Sequence, residues 1–496
     1  MTQIASSNPK TETNRWIALM VLCVGVLMII LDATIVNVAL PSIQSDLGFS
    51  QSSLAWVVNA YLIAFGGLLL LAGRLGDLLG RRRIFLIGLT VFTTASLLCG
   101  LADSQGLLVG ARFVQGIGGA MTAAVILGMI VTMFPEPGEQ ARAIGVYSFV
   151  AAAGGSIGLL AGGGLTQAIN WHWIFFVNVP IGIATAVLAL RLIARDEGIG
   201  LKEGADVAGA VLITSALMLL VYTIVKASDY GWGSAHTLGF GAASLVLLAA
   251  FVAREHTARQ PLMPLRIFRS RLVSAANAVQ ALMVAGMFGM FFLGALYLQR
   301  VLGYDAIEVG LAFLPVAVLI GALSLGASAR LNMRFGPQAT LLPGLALIVA
   351  GLLLFARAPV GANYVTEVLP VMVLLGIGAG ISFPSLMTLA MSGATGGDSG
   401  LASGLVNTSQ QVGGALGLAV LATFSTTHTA SLRADGHSFA SSLTSGFHLA
   451  FVIGAGLVVA AIALASTVLR PTPGAVAAES EPELVAAETT YAKEAA

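Results

Sequence analysis

Residues 16–40 read WIALMVLCVGVLMIILDATIVNVAL, an almost unbroken apolar run whose single charge is Asp32. A helix needs about 20 apolar residues to cross the hydrocarbon core of a bilayer, so this run is long enough to cross it. It is too long for the apolar part of a signal peptide and has no cleavage site of small residues. We therefore expect a retained first transmembrane helix.

The composition of the whole chain favours the same environment. Of its 496 residues, 57% are hydrophobic and only 9% are charged, whereas roughly 25% are charged in a typical soluble domain. The net charge of +1 gives no basic field for a nucleic acid. Cys23 and Cys99 lie in apolar runs and are interpreted as small buried residues, so we expect no metal site.

Counting similar apolar runs predicts an all-α membrane protein with fourteen transmembrane helices. Short loops join most of them, and a polar turn, Ala227–His236, separates the seventh from the eighth. The expected spans are 16–40, 53–72, 84–102, 106–133, 142–166, 173–193, 207–226, 237–253, 273–298, 306–328, 339–357, 366–391, 400–425 and 447–469.

The placement of lysine and arginine predicts the orientation, because cytoplasmic loops are enriched in both. With a cytoplasmic N-terminus, nineteen of the 24 basic residues fall on the cytoplasmic side, four fall outside and one, Arg112, falls within a span. A wrong span count in the middle of the chain would exchange the sides of the later loops and remove this bias. We therefore expect both termini in the cytoplasm of a bacterium, with the chain in its inner membrane.

The segment LDATIVNVALP, Leu31–Pro41, contains the first residue with a chemical role. Asp32 follows Arg15 by seventeen residues, which places it about 25 Å along the helix. A charge at that depth costs about 2.5–3.5 kcal/mol, so such residues usually face a cavity and are functional. The hypothesis is that burial favours the neutral form of Asp32, so that it exchanges a proton against a substrate. The structural alternatives are an acid that caps a neighbouring helix and one whose side chain snorkels outward to the interface.

The segment GRLGDLLGRRR, Gly73–Arg83, joins the second and third spans. Its arginines, Arg81 and Arg82 among them, fit a cytoplasmic loop. Glycines such as Gly73 and Gly80 permit a tight turn between helices. The spacing of Asp77 and Arg81 permits an ion pair on one helix face.

Two further segments lie within spans. RFVQGIGGA begins with Arg112, which should have an acidic or carbonyl partner at this depth. Its glycines are not read as a dinucleotide loop, because no strand precedes them. In the fifth span, Gly154, Gly158 and Gly162 lie four residues apart and so fall close to one face of the helix, and Gly163 follows the last of them. This spacing permits close approach of a second helix.

These segments occur in the order found in one known family. Together with WHWIFFVNVPIG (171–182), YLQRVLGYDAIEVGLAFLP (297–315), GIGAGISFP (376–384) and GLASGLVNTSQQVGGALG (400–417), they resemble the fourteen-span drug:proton antiporters of the major facilitator superfamily. The resemblance covers the chain up to about Arg470. It implies two six-helix bundles around a central cavity, with two extra helices between them.

The resemblance also implies a division of the chain. Its expected parts are a cytoplasmic N-terminus, an N-terminal bundle, a linker with the two extra helices, a C-terminal bundle and a disordered cytoplasmic tail. They cover residues 1–15, 16–195, 196–255, 256–470 and 471–496 in that order.

The resemblance to this family implies roles for several residues of this chain. It implies that Asp32 serves proton coupling and cationic substrates, that Arg112 assists proton movement, and that Asp77 with its neighbouring arginines latches the bundles on the cytoplasmic side. The glycines of the fifth span match the antiporter motif, which is associated with export. Two positions depart from the family pattern: Leu159 replaces the motif proline, and His172 stands between two tryptophans. We expect His172 to face solvent or cap a helix.

The second bundle lacks a deeply placed acid, since Glu367 is expected at the edge of its helix and Asp398 in a loop. A divalent cation would favour a second buried carboxylate. We therefore expect monovalent lipophilic cations or neutral aromatic compounds as substrates, in an adaptable pocket. The candidate wall residues are Asn37, Asn59, Tyr61, Gln115, Asn178, Asn277, Gln280, Met283, Met287, Phe291, Tyr297 and Gln410.

The sequence thus predicts a monomeric, proton-driven exporter of small amphipathic compounds that works by alternating access and needs no cofactor. The absence of the nucleotide-binding pattern GxxxxGK[ST] argues against an ATP-driven pump, and no HExxH motif suggests an enzyme. Two alternatives stay open. One is a dedicated exporter of a single metabolite or antibiotic, and the other is a membrane sensor or scaffold without transport.

Overall fold

The computed structural model describes residues 9–196, 198, 200, 206–259, 261–263, 265–392 and 399–469. Within these residues every regular element is helical. The expected tail after Arg470 and the loop position Asp398 lie outside the described residues.

The helices fall into two halves and an inserted pair. The first half contains α1 (Pro9–Leu47), α2 (Gln51–Leu54), α3 (Trp56–Leu79), α4 (Arg81–Gly100), α5 (Gln105–Met133), α6 (Pro137–Ala168), α7 (Trp173–Phe176) and α8 (Asn178–Leu192). The inserted pair is α9 (Val207–Tyr230) and α10 (Ala235–Thr257). The second half contains α11 (Arg271–Arg300), α12 (Ala306–Ala322), α13 (Ser328–Phe335), α14 (Pro337–Phe355), α15 (Leu369–Ser392), α16 (Ser399–Ala434) and α17 (Phe439–Val468).

A helix lies at each expected span, although several boundaries differ. In the described part of the chain, eleven helices are long and apolar enough to cross a membrane, and Ala306–Ala322 is a shorter apolar helix. The expected span 306–328 is not one α-helix, because a π-helical turn at Leu323–Ala327 separates α12 from α13. The expected turn Ala227–His236 is shorter than predicted, since α9 continues to Tyr230 and α10 begins at Ala235.

Close packing of α4 on α5 forms the interior of the first half. A Cβ atom added at Gly118 would collide with the backbone nitrogen of Phe92 and lie 2.7 Å from the carbonyl oxygen of Gly88. A Cβ atom at Gly88 would lie 2.7 Å from the backbone nitrogen of Thr122. The two backbones approach closely because both positions are glycine, as in other membrane helix pairs.

The inserted helix α9 packs against both halves. A Cβ atom at Gly67 of α3 would lie 2.7 Å from the hydroxyl oxygen of Thr214 on α9. On the other side of α9, the hydroxyl of Thr423 on α16 donates to the carbonyl oxygen of Ile224 at 3.2 Å. The insert therefore contacts α3 of the first half and α16 of the second half.

Hydrogen bonds also join the two halves directly. We call the end of the bundle that carries Arg81–Arg83 the basic face and the other end the opposite face. At the opposite face, Gln299 donates to the carbonyl oxygen of Val38 at 2.9 Å and Arg300 donates to Gln44 at 2.8 Å. Near them, Gln167 donates to Asp305 at 2.9 Å. The halves are therefore held together at the opposite face.

The α4–α5 contact yields the first prediction. Replacing Gly118 by alanine should lower the free energy of unfolding by about 1–3 kcal/mol, because the added methyl group forces two backbones apart. The measurement is thermal unfolding of the purified protein in detergent. Gly110→Ala is the matched control on the same helix, since a Cβ atom there meets nothing within 4 Å. Equal melting temperatures for the two variants would contradict the described packing.

Candidate functional site

A buried ion pair joins α1 to α5 inside the first half. Arg112 donates from Nη1 to Oδ2 of Asp32 at 2.5 Å, and both side chains are 0% exposed. The expectation that Arg112 has an acidic partner is therefore met by the acid that the sequence singled out. Two charges of opposite sign share a site from which solvent is excluded.

Amide side chains complete the coordination of Asp32. Its Oδ1 atom accepts from Nε2 of Gln115 at 2.7 Å and from Nδ2 of Asn178 at 3.2 Å. Gln115 also donates to the hydroxyl oxygen of Ser96 at 2.8 Å and accepts from Arg112 at 2.6 Å. Gln115 thus connects both charged groups to α4, and neither Ser96 nor this role of Gln115 was anticipated.

Arg112 has a carbonyl partner as well as an acid. Its Nε donates to the backbone oxygen of Val57 on α3 at 2.9 Å. The guanidinium carbon lies 4.4 Å from the ring centre of Tyr61 and 5.7 Å from that of Phe175. Stacking on aromatic faces stabilises a guanidinium that has lost water. Among the described residues, its Nη2 has no hydrogen-bond partner.

This geometry corrects the expectation that Asp32 faces a cavity. The carboxylate is covered on all sides, and Arg112, Gln115 and Asn178 occupy its oxygens. In this conformation a substrate has no access to it. Each member of the buried pair is stabilised by the other in low dielectric, so loss of either partner would leave a costly unpaired charge.

The glycines of the fifth predicted span place α6 directly beside this site. A Cβ atom at Gly158 would collide with Thr34 and lie 3.0 Å from the carbonyl oxygen of Leu31, the residue before Asp32. At Gly162 it would lie 2.7 Å from the carbonyl oxygen of Ile35, and at Gly154 it would lie 3.1 Å from Ile30. These glycines therefore pack one face of α6 on α1.

Gly163 faces the other half of the molecule. A Cβ atom there would lie 2.5 Å from the carbonyl oxygen of Ala306 and 2.9 Å from the Cα atom of Ile307, at the start of α12. The motif thus lies between the helix that carries Asp32 and the second half.

On the basic face, the segment Gly73–Arg83 contains an ion pair within the first half. Arg81 donates to Asp77 at 3.1 Å and to the carbonyl oxygen of Gly128 at 2.9 Å. The pair does not lie on one helix face, because α3 ends at Leu79 and Gly80, with a φ of +96°, turns the chain into α4. Such a φ suits glycine. By contrast, a Cβ atom added at Gly73 would meet only the Cβ atom of Ala124, at 4.0 Å.

Asp196 also belongs to this motif, a contact that its distance along the chain does not predict. Its carboxylate accepts from the backbone nitrogens of Arg81 at 2.5 Å and Arg82 at 3.0 Å, and so caps the start of α4. An acid at a helix N-terminus is favourable there. Arg82 additionally donates to the carbonyl oxygen of Leu190 at 2.6 Å. The chain after α8 is thereby fixed to the turn between α3 and α4.

The proposed wall residues do not form one group. Gln115 and Asn178 bind Asp32, and Tyr61 lies under Arg112. Tyr297 packs within the second half, where its hydroxyl donates to the carbonyl oxygen of Pro359 at 2.6 Å. Asn37 is half-buried and donates to the carbonyl oxygen of Ala33 on its own helix at 3.2 Å.

The remaining candidates lie on α3, α11 and α16. Asn277 donates to its own helix and accepts from Ser409 of α16 at 3.0 Å. Among the described residues, Asn59 and Gln280 are buried and keep side-chain atoms without hydrogen-bond partners. Met283 and Met287 are buried, whereas Phe291 and Gln410 are half-buried. Unsatisfied buried polar atoms are unusual. Among the candidates, Asn59, Gln280, Tyr61 and Asn178 have such atoms, and only Asn59 and Gln280 make no contact with Asp32 or Arg112.

Two other expectations concern the opposite face. His172 occupies the N-cap position just before α7, where its side chain makes no capping hydrogen bond, and its ring stacks on Trp171 with ring centres 3.7 Å apart. It is therefore a half-buried stacking residue, not a helix cap. Glu367 lies in a π-helical turn just before α15, where it accepts from the backbone nitrogen of Asn363 at 2.6 Å, close to its expected place.

Comparison with known proteins identifies the family of this chain. Residues 22–418 match the Major Facilitator Superfamily, and the chain belongs to it. The chain is 39% identical to a puromycin resistance protein of Streptomyces alboniger, with 91% of each chain covered. It is 38% identical to a tetracenomycin C resistance and export protein of Streptomyces glaucescens, with 82% of this chain and 75% of that protein covered.

A solved structure shares the fold. A bacterial homologue of the human lysosomal transporter Spinster superposes with a TM-score of 0.67 at 16% identity, covering 95% of this chain and 100% of that one. The chain is therefore a multi-pass membrane transporter of small molecules rather than an enzyme.

The buried pair yields the second prediction. Arg112→Gln should lower the free energy of unfolding by about 3–5 kcal/mol, because it leaves the Asp32 carboxylate buried without its counter-charge. Adding Asp32→Asn should recover part of this loss. The measurement is a denaturant titration in detergent.

The control is the exposed pair of Lys226 and Asp229, 2.7 Å apart. Lys226→Gln should cost only about 0.2–1 kcal/mol, because water screens the charges. An Arg112→Gln variant as stable as Lys226→Gln, or a double variant less stable than either single one, would refute the assignment.

Proposed function

We propose that this transporter is a proton-coupled antiporter that exports small amphipathic or lipophilic antibiotics and drugs by alternating access. Its substrates are monovalent cations or neutral aromatic compounds. The observation that carries the proposal is the buried pair of Asp32 and Arg112, whose side chains are both 0% exposed. A charged group at membrane depth marks a proton path more often than a packing contact.

The coupling step is a change of charge at Asp32. A proton on Asp32 removes its attraction for Arg112, whose remaining partners are the carbonyl oxygen of Val57, Gln115 and the aromatic rings. A neutral acid and an unpaired guanidinium then favour a different packing of α1 against α5. Because the antiporter glycines pack α6 on α1 and Gly163 contacts α12, that repacking reaches the interface between the halves.

Alternating access follows from the way the halves meet. Hydrogen bonds from Gln299, Arg300 and Gln167 hold the opposite face together in this conformation. In the proposed cycle a proton arrives from the opposite face, neutralises Asp32, and the substrate leaves as that face opens. The transmembrane potential and the pH gradient supply the driving force, and no cofactor takes part.

The proposal includes the topology. The chain crosses a bacterial inner membrane fourteen times, with six helices in each half, the two inserted helices between them and both termini in the cytoplasm. The basic face is then cytoplasmic, as the positive-inside rule favours. Asp77 and Arg81 belong to the cytoplasmic gate. One chain contains the whole site, so the monomer is proposed as the working unit.

Substrate class rests on two kinds of support. The relatives are named for resistance to or export of puromycin and tetracenomycin C. In addition, the described part of the second half has no deeply buried acid, which disfavours a second positive charge on the substrate. The unsatisfied amides of Asn59 and Gln280 would bind polar groups of such molecules.

A dedicated exporter of one antibiotic is the second candidate. A specific observation favours it, since both relatives are named for a single compound. The same assay separates the two candidates when a dozen chemically varied compounds are compared. Several active compounds support a drug exporter, and a response to one antibiotic supports the dedicated exporter.

The third prediction tests coupling. In energised inside-out vesicles, a lipophilic cation such as ethidium should trigger proton release, read with a pH-sensitive dye. Asp32→Asn should abolish this release, because the side chain no longer binds a proton. Asp435→Asn is the control at matched expression, because that exposed residue lies at the far end of α16.

Full proton release in the Asp32→Asn variant would eliminate Asp32 as the proton carrier. Absence of release in the wild type with every compound would favour a dedicated exporter of a metabolite outside the panel, or a membrane sensor or scaffold without transport.

A further inference from the structure

A second cluster of buried acids lies outside the Asp32 site, where the inserted helices end at the basic face. Glu255, in the last turn of α10, is 3% exposed, and Asp206, at the start of α9, is 4% exposed. Acidic side chains are almost never this deeply buried unless they are paired. The charge state of these two buried acids therefore requires an explanation.

Asp206 has its full set of partners. Its Oδ1 accepts from the backbone nitrogen of Gly209 at 2.9 Å and so caps α9. Both of its oxygens also accept from Nε of Arg254, at 3.1 and 3.2 Å. A helix N-terminus and a guanidinium together stabilise one negative charge. Arg254 is thereby committed to Asp206.

Glu255 is only half satisfied. Its Oε2 accepts from the backbone nitrogen of Met263 at 2.9 Å, which fixes the segment between α10 and α11. Among the described residues, its Oε1 has no hydrogen-bond partner. A buried ionised carboxylate with a vacant oxygen carries a large desolvation cost. The neutral acid avoids that cost.

The vacant oxygen of Glu255 and an oxygen of Asp206 lie beside the same glycine, Gly209. An added Cβ atom at Gly209 would lie 2.9 Å from Oε1 of Glu255 and 2.9 Å from Oδ2 of Asp206. The missing side chain of Gly209 thus leaves a small cradle in which two carboxyl oxygens converge. Two like charges at such a place disfavour each other's ionised form.

Other described side chains packed beside the two acids are apolar. From α3, Leu71 packs with Ala210 of α9 and Leu262 of the following segment, and Leu68 and Leu75 adjoin them. Arg74 also lies on this stretch of α3 and takes part in an interaction of its own. The charges that act on Glu255 most directly are those of Asp206 and Arg254.

We propose that Glu255 is a second proton-binding carboxyl of this transporter, which holds its proton at neutral pH beside the Asp206–Arg254 pair. A proton suits the site better than a metal ion. Hard metal ions take about six or more oxygen ligands, and the described residues contain no cluster of three or more acidic, histidine or cysteine ligands. The inference does not depend on the proposed drug transport.

The test is infrared spectroscopy of the full-length protein in lipid nanodiscs during a pH titration. The carbonyl stretch of a protonated carboxylic acid should persist at neutral pH, and Glu255→Gln should remove the signal of one carboxyl per chain. Glu136→Gln is the matched control, because Glu136 is exposed on the same face and its side chain makes no capping bond. An Asp32→Asn background removes any signal from the first site.

Three outcomes decide the proposal. Loss of the signal in Glu255→Gln and its retention in Glu136→Gln support it. An unchanged spectrum in Glu255→Gln overturns it. Loss of the wild-type signal when sodium chloride replaces choline chloride also overturns it, because a metal ion would then occupy the site.

A second variant covers the case in which Glu255→Gln does not fold. Arg254→Gln removes the nearest positive charge, so the carbonyl signal of Glu255 should persist to higher pH than in the wild type. A signal that disappears at the same or a lower pH would contradict the proposal. Since no step uses a drug, failure here leaves the antiport proposal untouched, and failure of antiport leaves this site untouched.

Discussion

Several helices of the first half surround a carboxylate and a guanidinium that water does not reach. Asp32 and Arg112 are each 0% exposed. Neither charge is stable there alone, so each requires the other and a shell of hydrogen bonds. Gln115 contributes on both sides of the pair, since its amide nitrogen donates to Asp32 and its oxygen accepts from Arg112. Five helices meet at this point because α1, α3, α4, α5 and α8 each supply a partner.

That arrangement connects chemistry to movement. In the proposed mechanism, a proton changes the charge of Asp32, whose hydrogen bonds join several helices, and so changes how those helices prefer to pack. The glycines of α6 lie against the two turns of α1 around Asp32, and Gly163 lies against α12. Packed interfaces switch between discrete arrangements more readily than they deform. The fold therefore places the proposed proton site near the contact between α6 and α12 of the second half.

The sequence predicted the helical class, the positions of the helices and the two charged partners, because apolar run length and intramembrane charge are local signals. Partner choice is not local. Gln115 and Asn178 were assigned to a substrate wall, yet they bind Asp32 from 83 and 146 residues away. Tyr297 was placed in the cavity for its residue type, whereas its hydroxyl meets Pro359. The π-helical turn after α12 and the capping of α4 by Asp196 depend on tertiary contacts that no spacing in the sequence encodes.

The central claim is that the charge of Asp32 controls how the two halves meet. It is tested most directly by the distance between spin labels at Ser45 and His437, which are exposed on the opposite face in different halves, with both native cysteines buried. In the wild type in nanodiscs, the distance distribution should shift between acidic and alkaline pH. In the Asp32→Asn variant it should be the same at both. A full pH-dependent shift in that variant would contradict the account.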